Sequence, residues 1–540
     1  MCRPAALALS FVVLGLGSAG CVDPDANADA AADAGILIMG NGEEPKGLDP
    51  HLVSGVLESN IIRALFEGLC VEHPSENGVS LPGAAQSWEA NEDFTEWTFH
   101  LQPDGKWSDG KAVTTDDFLF AYERILSEEL AAKYSGMLFF LENGEAFHKG
   151  EITDFSEVGV SASGPHTLHF KLRGPTPFLP ELTKHYTWYP VPRHAVLAHG
   201  SMTDRFTQWT DPENLVSNGP FKLKEWVFNR YIVAEKSPTY WDADVVKLNE
   251  IRYLPIKNVY TEARMFFDNQ LHVSYTLASE LIAHAKENYA ENLRQETYLG
   301  TYFIRCNVDH GPLRDVRVRQ ALGMAIDRPA LIENVLKGGQ KPALGMVPPF
   351  GDYQSPETVV GQYDPELAKQ LMAEAGYPGG KGFPDISLLI TDSETSKVLS
   401  EALQAMWEQT LGIRITIRQM EWATYLNAMQ RLDYDLGVGG WIGDYLDPTT
   451  FLEMWIKDGG NNNTSWSSVE YETLLREAEQ MADPAERFAT LQRAETLFLN
   501  DWPTLPIFWY TRNYLLHPRL EGWHPLLLDN HPFKFLHFSP

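Results

Sequence analysis

The chain of 540 residues carries 73 acidic against 43 basic side chains, a formal charge of −30. No Lys/Arg-rich run is present to contact phosphates, so nucleic acid is excluded as a partner and unassisted adhesion to anionic lipid is disfavoured. A hydrophobic content of 44% with 15 tryptophans supplies large cores, and at about 100–200 residues per domain the length implies two or three domains.

Residues 1–21 read as a secretory signal: Arg3 and the free amine start it, Ala5 to Leu16 form a short apolar core, and "GSAGC" ends it at Cys21. The stretch is too short for a spanning helix. A cysteine directly after Ala19-Gly20 suits lipidation, although Ser18 stands where leucine is usual. Residues 22–35 are low-complexity Ala/Asp and are expected to form a flexible, solvated tether. No later run approaches the ~20 apolar residues of a membrane span.

Helical and strand patterns then alternate, which predicts an α/β protein. Trp97 to Leu101 is strand-like, and the pairs Asp104-Gly105 and Asp109-Gly110 mark turns. Thr114, Thr115, Asp116 and Asp117 start a helix over Phe118 to Ile125, because short oxygen side chains accept from free first-turn amides. Asp315 starts another, with Val318, Leu322, Ala325 and Ile326 at helical spacing. Pro365 to Gly376 is a third, with proline in its first turn and glycine as its stop.

The run Tyr434–Gly439 ("YDLGVG") is apolar and glycine-rich, so its backbone is expected to lie close to something. It leads into Gly440, Trp441, Ile442, Gly443 and Asp444, a carboxylate with no basic residue in the segment. A carboxylate drawn into an apolar setting needs a cation, from the protein or from a ligand. A cap or a structural ion pair is the competing explanation, since "DYLDP" also suits a helix start. Catalytic chemistry finds no carrier: no HExxH, GxSxG, Walker A loop or GxGxxG after a strand is present, and no metal site or cofactor is expected. With Cys2 and Cys21 in the signal, Cys70 and Cys306 remain, both in apolar contexts that favour buried thiols over a disulfide.

Several segments in register along the chain resemble the substrate-binding proteins of peptide ABC importers, solute-binding protein family 5. They include 47–69, "WTFHLQPDGKWSDGKAVTTDDF" (97–118), "NGPFKLKEW" (218–226), "SPTYWDA" (237–243), "DVRVRQALGMAIDR" (315–328), "LMAEAGY" (371–377) and "GGWIGDYLDPTTFL" (439–452). The resemblance implies a two-lobed periplasmic binding protein fold, class II, of the three-domain peptide-binding type. Residues 36–66, 193–299 and 512–540 would form lobe 1, with 67–192 inserted as a smaller domain. Residues 300–511 would form lobe 2, joined to lobe 1 by two crossing segments. The implied protein is a monomer that is no enzyme: it captures oligopeptides and delivers them to the permease subunits of an ABC transporter. Its only membrane contact would be a lipid at Cys21. A murein tripeptide or another amine-bearing ligand, or a periplasmic peptide-binding chaperone or receptor on the same fold, is the alternative.

By the same resemblance Asp444 binds the peptide's α-ammonium group. Ser54, Val56, Gly440 and Ile442 make main-chain contacts to an extended ligand, Tyr134 lies near its first residues, and Trp422 and Trp441 wall the side-chain pockets. Three positions depart from the family pattern for the ligand's other end. Val438, Ser396 and His310 stand where an arginine, a histidine and a lysine are usual, which leaves His310 as the one titratable candidate there.

Overall fold

The computed structural model describes residues 27–457 and 459–540. The signal segment and Cys21 lie outside them. One lobe is built on a four-stranded sheet in the order Ile36–Gly40, Glu250–Leu254, Tyr231–Lys236, Phe221–Val227. Its first strand runs parallel to its neighbour and the others antiparallel.

Inserted into that lobe is an antiparallel sheet in the order Ala85–Ala90, Glu96–Leu101, Thr167–Lys171, Val160–Ala162. Trp97, Phe99 and Leu101 alternate inward, as period-2 patterning requires. Helix Thr115–Leu126 starts with a capping box in which Asp117 accepts from the Thr114 amide at 3.0 Å. The two sheets of this lobe share one continuous core, which runs from Leu37 and Ile251 through Phe99 and Phe118 to Trp188.

The other lobe carries a mixed six-stranded sheet. Its order is Lys341–Pro342, Thr504–Leu515, Leu293–Cys306, Leu436–Ile442, Ser387–Thr391, Thr416–Met420. Helix Val316–Met324 starts where Asp315 accepts from the Arg317 amide at 2.9 Å. It stops before Ile326, because Asp327 caps a separate turn, Arg328–Leu331, that opens on Pro329. Proline lacks the N–H a continuing helix would need. Helix Pro365–Glu374 ends as expected, at a Gly376 with φ of +97°.

Two long strands, Leu293–Cys306 and Thr504–Leu515, pass from lobe to lobe as an antiparallel pair. At their lobe 1 end the Leu515 amide donates to Ser274 Oγ at 2.9 Å and the Leu277 amide to the Asn513 carbonyl at 2.8 Å. Their ladder is interrupted between Thr297 and Thr301, opposite Thr511 and Trp509.

The expected tether over 22–35 is corrected in its second half: Ala28–Asp33 is a helix, capped by Asn27 and followed by strand Ile36–Gly40. Ala28, Ala31 and Ala32 are buried, and Ala31 packs with Phe266 and Leu515. Alanine has the highest helix propensity and fits a narrow gap, so a segment poor in large apolar residues still docks. Among the described residues no helix is long and apolar enough to cross a membrane.

Candidate ligand site

Strand Leu436–Ile442 lies between Leu293–Cys306 and Ser387–Thr391. On its first side it pairs along its full length, from Leu436 opposite Cys306 to Ile442 opposite Gly300. On its second side Ser387–Thr391 reaches only Leu436 and Gly437. From Val438 onward that edge has no strand beside it among the described residues. Such an edge presents backbone donors and acceptors to any extended chain that enters.

The glycines of this strand let other side chains approach its backbone closely. A Cβ at Gly440 would lie 2.3 Å from the Tyr510 hydroxyl, and one at Gly439 2.3 Å from a guanidinium nitrogen of Arg305. Both intruders come from the two crossing strands, so the backbone does lie close to something, and that something is the protein's own side chains. Beyond the strand, the Gly443 amide donates to the Leu299 carbonyl at 2.8 Å, and the chain turns to present Asp444.

Asp444 is held through its backbone: its amide donates to Thr450 Oγ1 at 3.0 Å. Its carboxylate makes no hydrogen bond or ion pair to any described residue, and burial alone pushes its pKa up to about 7. Three residues on, Asp447 takes the structural roles that compete for this segment. It accepts from the Thr449 amide and hydroxyl at 3.1 and 2.7 Å, in the turn just before helix Thr449–Leu452. It also receives both terminal nitrogens of Arg487 at 2.6 and 2.8 Å. The turn before the helix and the salt bridge belong to Asp447, and among the described residues Asp444 has no partner for its charge.

Tyrosines from the facing lobe surround that charge. The Asp444 carboxylate, with burial, pushes the Tyr134 hydroxyl well above its ordinary range. Burial and then Asp444 and, more weakly, Glu58 raise that of Tyr186. Tyr134 meets Tyr186 edge-on at 6.4 Å, and His185 lies against Tyr186 at 4.2 Å. Tyr186 was not anticipated from sequence, where "KHYTWYP" offers three aromatic side chains and nothing to single one out. Glu58 places the third wall: it sits in the first turn of helix Val56–Leu65, which follows Ser54, and both Ser54 and Val56 are exposed.

Trp441 is half-buried, with an indole N–H that finds no acceptor. Trp422 is exposed and stacks on Tyr425 at 5.6 Å, and the Tyr425 hydroxyl donates to the Val438 carbonyl on the open edge. Val438 itself is buried in the lobe 2 core. The Ser396 hydroxyl is bonded to Thr391 and Ser393. His310, the titratable candidate for the ligand's other end, is exposed, and its Nδ1 lies 2.5 Å from Asp435. Cys70 and Cys306 are free and buried, with burial pushing both thiols up to about 12. Among the described residues no group of three His, Cys, Asp or Glu could hold a metal.

Among the described residues, a carboxylate without a cation, a sheet edge without a strand and aromatic side chains from two lobes lie together here. Residues 81–463 match the model of bacterial extracellular solute-binding proteins, family 5. The periplasmic oligopeptide-binding protein of Salmonella typhimurium is 34% identical over 509 residues, covering 91% of this chain and 90% of the relative. The Haemophilus influenzae oligopeptide-binding protein in complex with RPPGFSPFR superposes with a TM-score of 0.83 at 30% identity, over 94% of this chain and 99% of that one. The Escherichia coli murein tripeptide-binding protein gives 0.84 at 29% identity, over 94% and 98%. To an unliganded open form of the murein tripeptide-binding protein the score falls to 0.73, at 28% identity over 94% and 98%. The chain belongs to the bacterial extracellular solute-binding proteins of family 5, two-lobed and of the type that includes the oligopeptide-binding proteins.

Proposed function

We propose that this protein captures extended oligopeptides through their backbone and free N-terminus, outside the cytoplasm, and delivers them uncleaved to the permease of an ABC importer. The observation that carries this is the unmatched carboxylate of Asp444 at the end of an open strand edge. Every peptide brings one cation of fixed position, its α-ammonium, and a row of backbone groups that can extend a sheet. Ser54 and Val56 would bind the ligand's other flank. The names of the family relatives support the same reading, and support an exported location. Lipidation at Cys21 and a monomeric state complete the proposal.

Asp444 serves any amine-bearing ligand, so murein tripeptides are the second reading, favoured by the likeness to the murein tripeptide-binding protein. Native mass spectrometry of the refolded protein after incubation with a mixed peptide digest tests the proposal. Intact short peptides with free N-termini should be retained. Retention of none, or release of cleavage products, would overturn it.

A further inference from the structure

Five arginines are buried among the described residues, and four of them have acceptors. Arg124 meets Asp49 at 2.9 and 2.6 Å, and Arg487 meets Asp447. Arg319 donates to the carbonyls of Leu313 and Trp502, and Arg328 to those of Pro506 and Gly323. Arg305 is the exception. It is 8% exposed, its Nε is buried without an acceptor, and it makes no hydrogen bond or ion pair to any described residue. Its guanidinium lies against the rings of Phe303 and Trp455, at 4.8 and 5.6 Å. The neighbouring hydroxyls of Tyr425 and Tyr434 accept no hydrogen bond from it and carry no formal charge to match its own. Tyr425 donates to the Val438 carbonyl and Tyr434 to that of Asn463.

A guanidinium stays charged even when buried, so an unmatched one is costly unless an anion arrives. Its position says where that anion would come from. Arg305 stands opposite Gly437 in the ladder and reaches Gly439, on the strand whose other edge is open. From Gly439 to Asp444 the chain takes five steps, at most ~17 Å at about 3.3 Å each. An extended peptide covers that distance in roughly four or five residues.

We propose that Arg305 receives a carboxylate of the bound ligand, four or five residues from the α-ammonium held by Asp444. The inference rests on the peptide-binding reading above and deepens it: the cleft reads a positive charge at one end of a short peptide and a negative one at the other. The anion is supplied by the ligand's C-terminus or by an acidic side chain at that position. The charge comes from the crossing strand Leu293–Cys306, whereas Val438 beside it is aliphatic and His310 is paired with Asp435.

The test is calorimetry with alanine tri-, tetra- and pentapeptides as free acids and as amides, on wild type and Arg305→Met. A tetrapeptide amide with glutamate at position four is the additional arm. At the matching length the wild type should prefer the acid by about 30-fold to a few thousand-fold, the usual effect of one partner in a buried charge pair. Arg305→Met should bind acid and amide within about threefold of each other, and its ligand-free melting temperature should not fall. Recovery of affinity by the glutamate amide assigns the site to any carboxylate at that position, and no recovery assigns it to the C-terminus. Equal binding of acid and amide at all three lengths in the wild type overturns the proposal. So does an acid preference that survives in the variant, or a fall in melting temperature with that preference unchanged, which makes Arg305 a packing residue. Loss of sensitivity to N-acetylation would sink the role of Asp444 and leave the Arg305 result standing.

Discussion

Asp444 and Asp447 stand three residues apart with opposite energetics. Asp447 is enclosed by Arg487 and the Thr449 amide, so Arg487→Met would strand a buried carboxylate at a cost of about 3–5 kcal/mol. Asp444 has no partner among the described residues, and its folded-state pKa lies above the unfolded value. The unfolded chain therefore ionises first, and Asp444 withdraws stability as pH rises from about 4 to about 7. Thermal melts of the ligand-free protein should show Asp444→Asn more stable than wild type at pH 7.5 and equal to it at pH 4, with Arg487→Met much less stable at pH 7.5. A destabilised Asp444→Asn at pH 7.5 would mean that its carboxylate has a structural partner. The segment's carboxylate was legible in sequence because nothing cationic stands near it. Its division of labour with Asp447 was not, because Arg487 comes from a helix 40 residues further on.

At the scale of elements, the two lobes touch through a small set of contacts. Tyr445 of lobe 2 stacks on Phe178 at 5.9 Å and meets Phe140 edge-on at 6.1 Å. Arg173, from the inserted sheet's side, pairs with Glu479 at 3.0 Å and Glu453 at 3.4 Å. Because these pairs join residues of the two lobes, opening would have to break them, and they would hold the ligand by slowing that step. Each is partly exposed and worth ~0.2–1 kcal/mol, so Arg173→Met should raise the peptide dissociation rate about two- to thirtyfold and leave the association rate nearly unchanged. Stopped-flow displacement measures both, and an unchanged dissociation rate would remove Arg173 from the closure. Local signals located elements well: the Thr114–Asp117 box, the Asp315 start and the Gly376 stop are each set by adjacent residues. They failed where packing decides. Ala28–Asp33 is helical because a sheet waits beneath it, and Arg305 and Tyr510 meet Gly439 and Gly440 only through strand pairing across the chain.

For the whole molecule, the division into lobes came from resemblance, since periodicity carries no information on which strands share a sheet. The described structure adds where the crossing strands can give: their ladder breaks at Thr297–Thr301, directly before the residues that pair with Trp441 and Ile442. Rotation at that break would open the cleft by carrying the open edge and Asp444 away from Tyr134 and Tyr186, which they face in the closed state described here. In that closed state an ammonium replaces the proton that Asp444 holds below pH about 7, so free-N-terminus peptides should bind more weakly at pH 6 than at pH 7.5. The most direct measurement is calorimetry of one peptide and its N-acetylated twin, on wild type and Asp444→Asn, at both pH values. The account predicts that acetylation costs the wild type roughly a few hundred- to several thousand-fold in affinity at pH 7.5. It further predicts that Asp444→Asn barely distinguishes the twins, and that only the wild type with the free peptide loses affinity at pH 6. Equal affinities of the twins for the wild type would contradict it.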